Sequence, residues 1–142
     1  PTTSEPAQPG EAVPGRAEVL MIAAERAWQD RRLDTAVDQW LAAARYHASD
    51  GHLDAALEAC QRALLAEPGE PRVHLEMCRL YLAQGWHAKA IERMQLLARL
   101  IELDDNAELR RELAQLARDH AEGADLPDLA ELAGRLDAAA PG

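Results

Sequence analysis

Apolar positions recur at three- and four-residue spacing along most of the chain, the pattern of amphipathic helices. Seven segments carry it: 16–30 (RAEVLMIAAERAWQD), 33–49 (LDTAVDQWLAAARYHAS), 53–66 (LDAALEACQRALLA), 71–84 (PRVHLEMCRLYLAQ), 87–103 (HAKAIERMQLLARLIEL), 107–121 (AELRRELAQLARDHA) and 126–140 (LPDLAELAGRLDAAA). The connectors support these boundaries. Gly51 and Gly85 suit tight turns, EPGEP breaks the chain between the third and fourth segments, residues 104–106 supply capping side chains, and Pro127 sits near a helix start. Helices joined by so few residues must lie as antiparallel neighbours. Ahead of them, residues 1–15 (PTTSEPAQPGEAVPG) hold four prolines, two glycines and almost nothing to bury. They predict a disordered tail or linker, leaving 16–140 as one helical domain.

The segments repeat. Gly51 precedes Gly85 by 34 residues, and the same offset pairs Ala56 with Ala90, Leu57 with Ile91, Trp40 with His74 and Leu41 with Leu75. A 34-residue period in helical pairs resembles the tetratricopeptide repeat. The unit 37–70 carries the resemblance through Trp40, Ala43, Ala44, Gly51, Ala56, Ala63 and Pro68. The unit 71–104 carries it through Tyr81, Gly85 and Ala90, with Met77, Cys78 and Met94 at positions of commoner residues and Glu102 where a proline would stand. A third pair from about Ala107, with Leu109, Leu113 and Leu116, reads as a divergent cap. The segment 33–49 fits two registers: it can close a unit begun by 16–30 or open the unit that ends at Pro68. The expected fold is therefore all-α, with antiparallel helix pairs stacked as a short right-handed solenoid of about seven helices. Alanine at the crossings brings helix axes to the close end of ~8–10 Å, and regular crossings stack into a superhelix with a concave face.

Composition agrees with helices. Apolar residues make up 48%, but Phe is absent and aromatics are 4%, so the apolar content is mostly Ala and Leu, which lose little entropy in a helix. At 142 residues the chain suffices for one modest core. The net charge of −10 opposes general affinity for nucleic acid or anionic membranes. Of 15 basic residues only Lys89 is lysine, so any basic site is an arginine site, able to hold a carboxylate bidentately. Two cysteines within helical patterns fit a reducing cytoplasm. No apolar run approaches ~20 residues and no signal-like segment opens the chain. The start at Pro1 rather than Met fits a processed product or a piece of a larger protein.

What the resemblance implies for function is a row of residues on the first helix of each unit, facing a peptide groove. These are Asp38, Leu41 and Arg45, then Arg72, Leu75 and Arg79, with Arg110 or Arg111 continuing the row. Leucines beside arginines suit a protein or peptide segment carrying apolar and acidic groups. The alternative is an ordinary solvated helix face. Family members that grip a C-terminal carboxylate use Lys and Asn; the corresponding positions here resemble Leu41, Arg45 and Glu76, so that clamp is not reproduced.

Other chemistry is sparse. His47, Cys60, His74 and Cys78 fall on core-facing positions, and His74 with Cys78 has the i, i+4 spacing of paired metal ligands. Without a CxxC or HExxH signature they read as core residues, and neither a metal nor a cofactor is expected. No nucleophile with a base and no phosphate loop stands out, so no enzyme is expected. The expected function is a non-catalytic protein-binding scaffold or adaptor. Two alternatives stand beside it. One is a regulatory module of a larger bacterial signalling or transcription protein, since residues 80–113 resemble the helical module of bacterial transcriptional activators. The other is a homo-oligomeric, self-assembling repeat, since terminal repeats leave apolar edges.

Overall fold

A computed structural model describes residues 15–124 and 126–139, so the predicted tail lies, except for Gly15, outside the described residues. Seven helices run in order: α1 (Arg16–Gln29), α2 (Leu33–Ser49), α3 (Leu53–Ala66), α4 (Pro71–Ala83), α5 (His87–Leu103), α6 (Ala107–Ala124) and α7 (Pro127–Ala138). Their bounds fall within one residue of expectation except at the ends of α6, which runs three residues further, and of α7, which stops two residues earlier. Gly123 weakens a helix by about 1 kcal/mol relative to alanine, which is too little to stop one. Pro127 opens α7 because a first-turn proline gives up no intrahelical hydrogen bond.

One turn recurs. Gly51 (φ 80°) and Gly85 (φ 77°) adopt the left-handed conformation between α2 and α3 and between α4 and α5. The following N–H groups close the preceding helix: His52 donates to the carbonyl of His47 at 2.8 Å and Trp86 to that of Tyr81 at 2.9 Å. Between α1 and α2 the same bond joins Arg32 to Ala27 at 2.8 Å, and Arg31 (φ 60°) occupies the place of the glycine. The helix that fits two registers in the sequence therefore serves both. It closes one hairpin with α1 and opens another with α3, and these are the two most extensive helix contacts among the described residues. Arg62 of α3 reaches across to Glu25 of α1 at 3.3 Å, tying the outer helices of this trio together.

The trio packs on alanine. Ala24 and Ala27 of α1, Ala36, Ala43 and Ala44 of α2, and Ala56, Ala59 and Ala63 of α3 are fully buried. Trp40, also fully buried, stands edge-on to Trp28 with ring centroids 5.7 Å apart. Beyond the trio the hairpins α4–α5 and α6–α7 follow. The α3–α4 connection breaks at Glu67, extended at φ −140° because a residue before proline avoids the helical region. With Glu102 in place of a proline, α5 continues to Leu103, making it 17 residues against 14 in α3. The fourth helix is the hub of the molecule. It contacts α2, α3, α5 and α6, and nine of its thirteen residues are buried.

Candidate peptide-binding face

The helices α2, α4 and α6 adjoin in sequence-distant pairs, α2 with α4 and α4 with α6. On α4, residues 72, 75, 76 and 79 lie on one side of the helix, while 74, 77, 78 and 81 lie on the other. The first set meets α2 and α6 through charges. Arg72 Nη1 donates to Asp38 of α2 at 2.8 Å and its Nε to Glu70 at 3.1 Å. Those hydrogen bonds, Glu70 first and Asp38 next, reinforce the arginine's protonation. Arg45 of α2 donates through Nε to Glu76 at 3.3 Å, and Arg79 Nη1 stands 3.8 Å from the same carboxylate oxygen. Arg79 Nη2 then donates to Glu112 of α6 at 3.3 Å. Arg45, Glu76, Arg79 and Glu112 thus form a continuous ladder across three helices.

Burial along this ladder is uneven, and that decides what it offers. The Glu76 side chain is only 8% exposed, whereas those of Arg45 and Arg79 are 60% and 40% exposed. A buried carboxylate stripped of its cations retains a desolvation cost of several kcal/mol, so Glu76 holds both guanidiniums in place. Each guanidinium carries five N–H donors. Arg45 spends its Nε on Glu76, and its solvent-facing Nη groups stay available to an acceptor. What the face presents outward is arginine donors beside the half-exposed carboxylates of Asp38 and Glu112, while Glu76 is sunk beneath them.

The predicted site residues divide into two groups. Arg45, Arg72 and Arg79 come together along the α2–α4–α6 row. Leu41 and Leu75 are buried, at 2% and 3% exposure, and form the floor under the arginines rather than a contact surface. Arg110 leaves the row: it is 5% exposed and paired with Asp105. It lines a cavity of about 220 Å³ with Ile101, Glu102, Arg135 and Leu136, beside α5 and α7. Its neighbour Arg111 is exposed. Sequence reasoning missed Glu76 and Glu112 as organisers. Their signal was present in opposite charges 31 and 33 residues apart, close to the repeat period.

The core-facing chemistry is also defined. Cys60 and Cys78 are free, buried thiols, and burial is the first cause pushing each up to about 12. Thiols so protonated are neither nucleophiles nor ready ligands. His74 is buried with both ring nitrogens engaged, Nε2 with the Pro68 carbonyl and Nδ1 with Arg93.

No curated protein matches the chain. A family model described as Tetratricopeptide repeat matches residues 47–116, from the last turn of α2 through α3, α4 and α5 into α6. That span holds both glycine turns and the paired alanines Ala56 and Ala90. With its repeated turn, its 34-residue offset and this match, residues 47–116 are tetratricopeptide repeats.

Proposed function

We propose that this protein is a non-catalytic scaffold whose domain, residues 16–140, binds a peptide or protein segment with acidic and apolar side chains along the α2–α4–α6 row. Tetratricopeptide repeats generally mediate protein–protein interaction. The observation that supports the finer reading is the burial contrast at Glu76, which holds Arg45 and Arg79 from beneath while their own side chains stay 60% and 40% exposed. Preorganised guanidiniums bind carboxylates with little further ordering cost, and bidentate geometry adds selectivity. Arg72, held by Asp38 and Glu70, extends the row toward the α3–α4 connector. Leu41 and Leu75 set its shape from beneath.

The test is capture of the native partner by the full chain and by a variant carrying Arg45→Gln and Arg79→Gln. Glutamine avoids setting new carboxylates against buried Glu76. Capture should fall at least tenfold, about 1.4 kcal/mol, and binding to the unaltered chain should weaken with added salt. Undiminished capture by a folded double variant would remove this row as the site.

A further inference from the structure

His74 occupies in α4 the place that Trp40 occupies in α2, 34 residues earlier. Where Trp40 packs against another indole, His74 is wired to two other parts of the chain. Its Nε2 lies 2.9 Å from the carbonyl oxygen of Pro68, in the connector that ends the first repeat unit. Its Nδ1 lies 2.9 Å from Nη1 of Arg93, on α5 of the second unit. A carbonyl oxygen only accepts and a guanidinium only donates. The ring must therefore carry its proton on Nε2 and leave Nδ1 bare, so only the neutral Nε2–H tautomer satisfies both partners. The residue is 4% exposed, which leaves little room for solvent to replace either bond.

We infer that His74 is a proton-sensitive latch that locks the α3–α4 connector to α5 at neutral pH and releases Arg93 in mild acid. A second ring proton can go only to Nδ1. There it turns the acceptor into a donor facing an Arg93 N–H, and it sets one cation against another. The Pro68 bond survives this change and the Arg93 bond does not, so the tie between the two units is lost on the α5 side.

The surrounding groups favour this switching. Burial is the largest influence holding the ring below the usual histidine range; the Pro68 hydrogen bond opposes it, Arg93 on α5 reinforces it, and Glu70 in the connector opposes it. Glu70 is itself bonded to Arg72. The titratable groups from α3 and from α4 in the same core are Cys60 and Cys78, which remain protonated and also feel Arg93. The charges that α2 and α6 bring to α4, namely Asp38, Arg45 and Glu112, are bonded to Arg72, Glu76 and Arg79 on the opposite side of the helix. The native ring binds its proton less readily than the unfolded chain does. Its contribution to stability is thus complete above the unfolded value near 6.5 and declines as pH falls below it, until the native ring itself titrates.

Nitrogen-detected NMR of the five histidine rings in the full chain, from pH 7.5 to 4.5, tests the latch directly. His74 should show the Nε2–H tautomer and be less protonated at pH ~6 than an unperturbed histidine, which is more than half protonated there. In Arg93→Met, which removes the opposing cation, its titration should move to higher pH. Chemical denaturation supplies a second readout: between pH 7 and 5.5 the unaltered chain should lose more stability than His74→Gln, whose neutral amide can still donate to Pro68. An Nδ1–H tautomer, a titration matching an unperturbed histidine, or equal acid losses in both proteins would overturn the proposal.

Discussion

The two repeat units use one backbone plan and fill it differently. Both turn through a left-handed glycine, and both place an alanine five residues later, at Ala56 and Ala90. In the first unit the remaining crossing positions are Trp40, Cys60 and Ala63, one large ring set among small residues. In the second they are His74, Met94 and Leu97. The first unit is held by close alanine packing on both sides of α2, the second by larger aliphatic side chains and a polar tie through His74. The difference teaches that the repeat specifies where helices cross, while the material at each crossing decides what the junction responds to.

Substitutions at equivalent positions can break this contrast. The largest expected effect is Trp40→Ala, which empties a fully buried ring site and should cost about 3–5 kcal/mol by urea denaturation. His74→Ala should cost clearly less, because part of what it removes is hydrogen bonding whose net worth is about 0.5–3 kcal/mol. Equal costs would mean that the two positions are not energetically distinct. Next comes the pair Leu97→Ala and Ala63→Leu, one residue type exchanged across the 34-residue offset. The first leaves a cavity and should cost about 2–5 kcal/mol, whereas the second overpacks an alanine crossing and should cost about 1–3 kcal/mol. A stabilising Ala63→Leu would show that the α2–α3 crossing is not close.

The turns sharpen the contrast at about 1–2 kcal/mol, the cost of left-handed backbone for a residue with a Cβ. Arg31→Gly should raise the denaturation midpoint, and Gly51→Arg should lower it; no shift in either would deny that the α1–α2 turn is the same turn. The last effect is alkaline and is absent at neutral pH. Cys60 and Cys78 are raised from 9.0 to about 12, so the native state keeps protons that the unfolded chain gives up. Stability is complete below pH 9 and falls as pH rises toward 12. Cys60→Ala with Cys78→Ala should flatten that decline between pH 8 and 10. In the native chain both thiols should resist a disulfide reagent until urea is added.

How much of this was legible in the sequence follows from how local each cause is. The seven helices, the glycine turns and the alanine stripe depend on spacing and propensity, and all stand in the sequence. The break at Glu67 was readable from Pro68 for the same reason. Arg31 was not, because no glycine marks that turn; only the 6→1 closure by Arg32 reveals it. The face was legible in its arginines, since Arg45, Arg72 and Arg79 keep helical spacing and repeat offset. Its floor was not, because the burial of Leu41 and Leu75 depends on how closely α2 and α4 pack. Arg110 differs from Arg111 by one step of 100° around α6, and that rotation takes it into the cavity beside α7. The roles of Glu76 and His74 depend in part on Arg45 and Arg93, 31 and 19 residues away, which no local pattern contains.

The most direct test of the α2–α4–α6 row as the binding surface is a random-peptide display selection on the full chain, with amide chemical-shift mapping of the tightest peptide. The expected result is a selected sequence with Asp or Glu beside Leu or Ile. Its shift changes should centre on Arg45, Arg72 and Arg79, and its affinity should fall at least tenfold in Arg45→Gln with Arg79→Gln. Selected peptides lacking acidic residues, or shift changes confined to α1, α3 and α5, would contradict it.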